Sequence, residues 1–334
     1  MCIEGRNVCP ECSEKHMRYA RIKPDHSDTF MHVYNRTVGS TGEFLFRDAE
    51  KEEFARRIVD LSRVYVIEPV SYQVMGNHFH ILLHIPAAPP SLEEAARRYN
   101  SYYSGKRAPL EPDDPKCAEL TLKLRDISEY MKSLQQPFTR WFNRTRGVRR
   151  RGHLWADRFK NTILENGLAV WDCWKYIEMN PVRARMVADP ADYRFSSFGY
   201  WSAKGKHPFE ATVVRRLMPV FRELLHISNM EDLRTQMKKD FAYYTALESG
   251  ASPDRVDAAI AVAAEKEPFS TQLDRRVRYW VDGLVIGSEL FVRNTVASGR
   301  VRYKVKKRRL TRAVEQTGRK EPLYSFKQLR FLLE

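Results

Sequence analysis

The chain has 334 residues and a formal net charge of +15, and 43% of its residues are hydrophobic and 12% aromatic. This content excludes a globally disordered chain, and the length allows one large domain or two ordinary ones. No apolar run approaches the length of a membrane span and the N-terminus carries no signal-peptide pattern, so we expect a soluble, cytoplasmic protein.

The first predicted elements are a strand and a helix. Residues Phe30 to Thr37 show the alternation of a strand, and a glycine-containing loop follows them. The segment Asp48 to Ser62 then carries Phe54, Ile58 and Leu61 at helical spacing. These positions share one face of a helix, so the pattern predicts an amphipathic helix.

A hairpin is predicted next. Val64 to Val74 favours a strand, although Pro69 interrupts it, and His78 to Ile85 favours its partner. Gly76 lies between the two runs, where a glycine permits a tight reversal of the chain. The pattern therefore predicts two antiparallel strands joined by a short turn.

Helices dominate the remainder. Ser91 to Asp114 predicts a helix followed by a Pro- and Asp-rich loop, and Cys117 to Arg144 predicts a helix or a helix pair. Phe159 to Leu164 favours another strand. Leu168 to Asn180 favours a helix that ends before Pro181, since proline disfavours helical geometry at the preceding residue.

This order of elements predicts an α+β fold with helices packed on an antiparallel sheet. We divide the chain into three parts: an N-terminal extension (1–27), a central domain (28–201) and a mostly helical, basic C-terminal region (202–334) with a predicted DNA-binding role.

Two histidines on the second hairpin strand suggest a metal site. His78 and His80 are two residues apart and share one face of the strand, while Phe79 and Ile81 share the other. Two neutral imidazoles at this spacing can hold one metal ion. The alternative is a pair of ordinary histidines on a half-exposed strand.

The helix Leu168 to Asn180 offers the remaining groups. Tyr176 and Asn180 lie one turn apart and away from the apolar stripe of that helix. Asn180 has a carbonyl oxygen that could serve as a metal ligand, or it could simply end the helix. Tyr176 could equally be an ordinary core aromatic.

The surplus of positive charge favours a nucleic acid as partner, because neutralising phosphates releases counterions. Basic and aromatic residues concentrate before and within the predicted strand at Phe159, and they are candidates for contacting phosphates and unpaired bases. This DNA-binding set comprises Arg140, Arg144, Arg149, Arg150, Arg151, Trp155, Arg158, Phe159 and Lys160. Arg183, just after Pro181 and close in sequence to Tyr176, is a further candidate for contacting a phosphate. A solvated basic loop with core aromatics is the alternative. A second basic run, Arg300 to Arg312, is either a further contact or an arm without specificity.

The N-terminus contains half of a zinc-site pattern. Cys9 and Cys12, followed by His16, have the spacing of two thiolates and an imidazole, but no second pair follows. A reduced surface pair in a leader is the alternative. The five cysteines are unevenly spread, which argues against a disulfide framework and favours a reducing compartment.

Three segments resemble a known family. GNHFHILLHIP is similar to the histidine–hydrophobe–histidine (HUH) signature of single-tyrosine transposases. KYIEMNPVRARMV, followed by DYRFSSFGYW, resembles the tyrosine helix of the REP-associated tyrosine transposases, and FNRTRGVRRRGHLWADRFK resembles the segment before it. The resemblance extends from about Phe30 to Trp201.

The resemblance implies a ferredoxin-like sheet and a nuclease that cuts and rejoins single-stranded, hairpin-forming DNA through a 5′-phosphotyrosine. Tyr176 would be the nucleophile, and His78, His80 and Asn180 would hold Mg²⁺ or Mn²⁺, with no nucleotide cofactor. A nucleoid-associated monomer is favoured over a dimer that exchanges its tyrosine helix. The alternative function is a non-catalytic nucleic-acid-binding protein derived from such an enzyme. Loss of the tyrosine or of a histidine would mark that alternative, and neither residue is lost here.

Overall fold

A computed structural model of the chain describes residues 27–39, 43–145, 152–248, 280, 283–298, 311–312 and 323–327. The strands in these ranges are β1 (Thr29–Arg36), β2 (Glu68–Val74), β3 (His78–Ile85), β4 (Lys160–Leu164), β5 (Gly283–Gly287), β6 (Thr311–Arg312) and β7 (Tyr324–Lys327). The helices are α1 (Asp48–Ser62), α2 (Leu92–Tyr103), α3 (Pro115–Arg125), α4 (Ile127–Thr145), α5 (Leu168–Glu178), α6 (Asn180–Arg183), α7 (Ser197–Lys204), α8 (Glu210–Arg216), α9 (Met218–Leu225), α10 (Met230–Glu248) and α11 (Glu289–Ser298).

The centre of the fold is an antiparallel sheet in the order β2-β3-β1-β4. The helix α1 connects β1 to β2, and α2 to α4 connect β3 to β4. The predicted α+β class is confirmed, and this strand order is that of the ferredoxin-like sheet implied by the sequence resemblance.

Both faces of the sheet are covered. Phe79, Ile81 and Leu83 of β3 pack with α1 and α4 in one core, while Leu82 packs with α5 and the helices after it in another. Successive side chains of a strand point to opposite faces, so β3 contributes to both cores. The strand was expected to be apolar on one face only. Instead, the histidines share the second face with a buried leucine.

The C-terminal region adds helices and strands. Its predicted helical character holds for α8 to α10, and three short strands, β5 to β7, extend the sheet beyond β4. The strands β4 and β5 are parallel, with Ile163 opposite Val285. The boundary placed at residue 201 falls inside α7. No helix among the described residues combines the length and apolarity that crossing a bilayer requires.

One strand begins later than expected, and one segment adopts the second of its two predicted forms. The first residues of the predicted strand at Val64 instead close the turn after α1, with the Tyr65 amide bonded to the Leu61 carbonyl at 2.9 Å. The segment Cys117 to Arg144 forms two helices, because Asp126 interrupts it and its carboxylate accepts a bond from the Ser128 amide at 2.6 Å. Both segments still bury their apolar residues, since the turn residues join the same core as the helices.

Glu68 connects the sheet to α8. Its carboxylate contacts Nδ1 of His84 at 3.0 Å and Nε of Arg216 at 2.8 Å, and it also pairs with Arg215. Burial alone would raise the pKa of Glu68, but the hydrogen bonds from His84 and Arg216 and the two arginine charges outweigh it and lower this pKa to about 2. The ionised carboxylate therefore stabilises the fold.

We predict that Glu68→Gln removes an acid-dependent part of this stability. A carboxyl group with a lowered pKa stabilises the folded state above its ordinary pKa of 4.5 and loses that contribution as the pH falls towards 2. The variant should lose about 1 to 2 kcal/mol of unfolding free energy at pH 7, since solvent screens part of the interaction, and the difference from wild type should shrink below pH 4. Urea unfolding at a series of pH values measures both.

The control is Glu52→Gln, which removes an exposed partner of Arg194. It should change stability little at any pH, since exposed ion pairs contribute little. A Glu68→Gln deficit that is the same at pH 3 and pH 7 would contradict the assignment.

Candidate active site

The pairing of β1 with β3 places a row of polar side chains on one face of the sheet. His80 is directly opposite Tyr34, and His78 is directly opposite Arg36. Residues opposite each other in an antiparallel pair share a face, and so do residues two apart in a strand. His32 therefore belongs to the same face, and its ring stacks on that of His80 with centroids 5.0 Å apart.

Tyr176 lies over this row. The helix α5 packs on β2 and β3, and it places the tyrosine ring 5.8 Å from that of His80 and 5.9 Å from that of His32. The Arg183 guanidinium lies 4.3 Å from the Tyr176 ring centroid, and its Nη2 donates to the Tyr176 carbonyl at 2.8 Å. The sequence-predicted tyrosine, histidines and Arg183 thus lie in one cluster.

A buried carboxyl group fixes α5 against the sheet. Oε1 of Glu178, two residues after the tyrosine, accepts hydrogen bonds from Ser71 of β2 at 2.8 Å and from Ser197 of α7 at 2.6 Å. Trp174 Nε1 donates to the same oxygen at 3.3 Å. Burial raises the pKa of Glu178, while the serine hydrogen bonds act against the rise. These contacts hold the tyrosine helix to two other elements.

Burial favours the neutral form of the histidines in the cluster. Burial lowers the pKa of His78 to about 4 and that of His32 to about 3, and it lowers the pKa of His80 well below its ordinary value. The charge of Arg183 adds to the lowering for His78 and His80. A neutral imidazole keeps a lone pair on one nitrogen, and this neutral form is the one that binds metals.

Burial also raises the pKa of the Tyr176 phenol, and the positive charge of Arg183 opposes that rise. A phenol is a poor nucleophile in its protonated form. The arginine is therefore placed to favour the phenolate, because its guanidinium lies against the tyrosine ring.

Two of the predicted metal ligands, His78 and His80, lie close together on the site face. Nδ1 of His78 lies 2.6 Å from the Asn77 side-chain oxygen, which accepts its hydrogen and leaves Nε2 of His78 with a lone pair. The His78 and His80 rings are 5.2 Å apart. No group of three or more His, Cys, Asp or Glu side chains could hold a metal within the described ranges. The two imidazoles would thus need neutral oxygens to complete a site.

Asn180, the predicted third ligand, lies at the start of α6. Its Nδ2 donates to the carbonyls of Tyr176 at 3.1 Å and Ile177 at 3.0 Å, so the amide group closes the end of α5. Its side-chain oxygen is the atom that would bind a metal. The ligand role of Asn180 stays a prediction.

The other predicted DNA-binding residues are divided among the site face, the surface and the core. Lys160, opposite Tyr34 on β4, lies on the site face, and its Nζ is 5.9 Å from the Tyr34 ring centroid. Arg140, Arg144 and Arg158 are exposed. Trp155 packs against Phe46, Phe54, Phe79 and Phe138, and Phe159 is buried in the same core. These contacts favour a core role over base stacking for both rings.

Some predicted residues lie outside the described ranges. These are Arg149, Arg150, Arg151, Cys9, Cys12 and His16, together with most of the run Arg300 to Arg312.

Sequence reasoning missed four neighbours of the site. They are His32, Arg36 and Gln73, which face it from β1 and β2, and Trp280, whose ring lies 5.8 Å from that of Tyr176. The alternation of His32, Tyr34 and Arg36 along β1 could have indicated a polar face. The positions of Gln73 and Trp280 depend on strand register and on contacts between distant parts of the chain, which the local sequence does not encode.

Comparison with known proteins gives a distant structural match. Neither a protein-family model nor a curated protein matches the sequence. Among solved structures, the chain is similar to one described as the REP-associated tyrosine transposase bound to a REP hairpin, at 17% identity and a TM-score of 0.38. The match covers 58% of this chain and 90% of that one. The structural relationship is distant.

We predict that Glu178→Leu costs about 3 kcal/mol of unfolding free energy, because hydroxyl and indole donors would be left buried without an acceptor. Glu178→Gln keeps one accepting oxygen and should cost less. Chemical denaturation measures both values, with Glu223→Leu on the exposed face of α9 as the control. Equal stabilities for Glu178→Leu and wild type would show that the carboxyl does not hold α5.

Proposed function

We propose that the protein is a metal-dependent nuclease and strand transferase that cuts and rejoins single-stranded, hairpin-forming DNA through a 5′-phosphotyrosine. The observation that carries the proposal is the position of Tyr176, which lies beside the neutral imidazole of His80 and under the guanidinium of Arg183. A potential nucleophile, a candidate metal ligand and a phosphate-binding cation thus meet at one point.

The chain supplies the nucleophile and a charge that favours it. The Tyr176 phenol oxygen would lose its proton to solvent and attack the phosphorus of a phosphodiester. The bond from phosphorus to the 3′ oxygen then breaks, and that oxygen takes up a proton as a free 3′-hydroxyl. Attack by a 3′-hydroxyl on the phosphotyrosine reverses the step. Because the covalent link conserves the energy of the broken bond, rejoining needs no nucleotide cofactor.

The Nε2 atoms of His78 and His80, with the amide oxygen of Asn180, would hold Mg²⁺ or Mn²⁺. When bound, the cation polarises the scissile phosphate and neutralises charge that develops on its oxygens. Arg183, Arg36 and Lys160 add positive charge on the same face. An anionic strand is therefore attracted to this face of the sheet.

The arrangement within a single chain supports a monomer. Tyr176 lies beside His80 of its own chain, so no exchange of the tyrosine helix is needed to bring the nucleophile to the histidines. Arg140, Arg144 and Arg158, which are exposed, would contact the DNA outside the site.

We predict that Tyr176→Phe abolishes covalent attachment and keeps DNA binding, because only the phenol oxygen is removed. The test incubates wild type and variant with Mn²⁺ and a labelled pool of hairpin-bearing single strands. Denaturing gels then measure the covalent adduct, and filter binding measures affinity. Wild type should form an adduct at the tyrosine, whereas the variant should form none and bind equally well.

The matched control is Tyr200→Phe on α7, an exposed tyrosine remote from the histidines in sequence. It should leave the adduct unchanged. An equal adduct in Tyr176→Phe would refute the assignment of the nucleophile. Tight binding by wild type without any adduct would favour the non-catalytic binding protein instead.

A further inference from the structure

Three groups form a hydrogen-bonded row that ends at a proposed metal ligand. Nδ1 of His32 lies 3.1 Å from the main-chain carbonyl oxygen of Trp280, and Nε2 of His32 lies 2.8 Å from Nδ1 of His80. His32 is completely buried, and His80 is 3% exposed. The row therefore runs from a backbone carbonyl, through one ring, to the next.

The chemistry of these groups fixes where the hydrogens are. A carbonyl oxygen only accepts, so Nδ1 of His32 carries the hydrogen of that bond. A neutral ring has one N–H, so Nε2 of His32 must accept, and Nδ1 of His80 must donate to it. The remaining nitrogen of His80, Nε2, then has the lone pair.

We infer that His32, anchored by the Trp280 carbonyl, is a positioning residue that holds His80 in the tautomer and orientation needed to bind a metal ion through Nε2. The inference rests on the proposed function, because it assumes that His80 is a ligand. It extends that function to a residue of β1 and to the backbone of the C-terminal region. For His78, the Asn77 side chain has the same role, because its oxygen accepts a hydrogen bond from Nδ1 of His78 at 2.6 Å.

The alternative is that His32 is a satisfied core histidine with no bearing on metal binding. Two substitutions separate these roles. His32→Phe fills the space of the ring and removes both hydrogen bonds. His32→Gln supplies an amide oxygen that can accept from His80 and an amide N–H that can donate to Trp280. If His32 has a merely structural role, the apolar ring of His32→Phe is the better replacement. If His32 positions His80, the accepting oxygen of His32→Gln is required.

The experiment measures the Mn²⁺ dissociation constant of the full-length protein by calorimetry and by the loss of the free-ion EPR signal. His32→Phe should weaken binding about 10- to 100-fold, the usual effect of losing a group that orients a metal-binding histidine. His32→Gln should restore most of the affinity. His207→Phe is the control, since it replaces another buried histidine, one that packs against Trp174 and Trp201.

The outcomes distinguish a failure of the positioning role from a failure of the proposed function. If wild type binds Mn²⁺ and His32→Phe binds it equally well, the positioning role is refuted and the proposed function stands. If wild type and its His80→Ala variant bind Mn²⁺ equally, His80 is not a ligand and both fail. Circular dichroism of each variant confirms that a lost affinity does not reflect lost folding.

An independent observation concerns Gln73 of β2. This residue is completely buried, and it lies directly opposite His80, so its side chain is on the site face. Its Nε2 has a weak contact of 3.7 Å with the Met75 sulfur, and its Oε1 has no hydrogen-bond partner within the described part of the chain. Buried carbonyl oxygens are nearly always paired, so an unpaired one beside a candidate metal site indicates a ligand.

We propose that Gln73 supplies an oxygen ligand to the cation held by His78 and His80. Mg²⁺ and Mn²⁺ favour oxygen ligands in octahedral sites, so Gln73 can act together with Asn180. This proposal also rests on the proposed function, because it requires a cation at the histidines.

The same Mn²⁺ titration tests Gln73. Gln73→Met should weaken binding about tenfold or more, and Gln73→Glu, which offers a charged oxygen at that place, should tighten it. Gln135→Met is the matched control, since Gln135 is a glutamine of α4 with a buried amide nitrogen that lacks a partner in the described ranges. Unchanged affinity in Gln73→Met, with normal binding by wild type, would refute this ligand without affecting the proposed function.

Discussion

Pairing between β1 and β3 determines which side chains can meet at the site. The two strands align without interruption from Thr29 opposite Ile85 to Arg36 opposite His78. Side chains alternate between faces, so a slip of one residue would turn the histidines into the core with α1 and bring Phe79 to the other face. Buried apolar residues on both sides of β3 oppose such a slip. The hydrophobic effect thus sets the position of groups that are themselves polar.

The site combines two opposing electrostatic demands. Burial keeps the imidazoles neutral, which suits metal ligands, but it also disfavours the phenolate of Tyr176. Arg183 moderates the second effect because its guanidinium lies directly against the tyrosine ring. Arg183, Arg36 and Lys160 add positive charge on the same face. In the proposed function, the opposite charges of a cation and a phosphate would offset each other there, since an unpaired charge is costly to bury.

The sequence predicts the local elements well where one face is clearly apolar. The bounds of α1 agree with the prediction because Phe54 and Ile58 mark its buried face and Glu50 caps its start. The histidine strand and the tyrosine helix are likewise found where the motifs place them. Local patterns suffice there because each segment carries its own periodicity.

Other features depend on contacts that the local sequence does not contain. The alternation of His32, Tyr34 and Arg36 could indicate a polar face of β1, but only the register with β3 shows that His32 lies beside His80. Gln73 is brought opposite His80 after a register shift between Pro69 and Ser71, which no pattern in β2 predicts. Trp155 and Phe159 lie among basic residues in the sequence, as nucleic-acid-binding aromatics often do, but tertiary packing places them in the core.

The hydrogen bond between His32 and the Trp280 carbonyl spans 248 positions of the chain. Contacts of such separation form late in folding, because closing a long loop costs entropy before any contact compensates for it. During synthesis, the tyrosine, both histidines and Asn180 leave the ribosome well before Trp280 does. A nascent chain can thus fold its central sheet before the Trp280 carbonyl is available to anchor His32 beside His80. The order of translation would then delay the proposed activity until most of the polypeptide has been made.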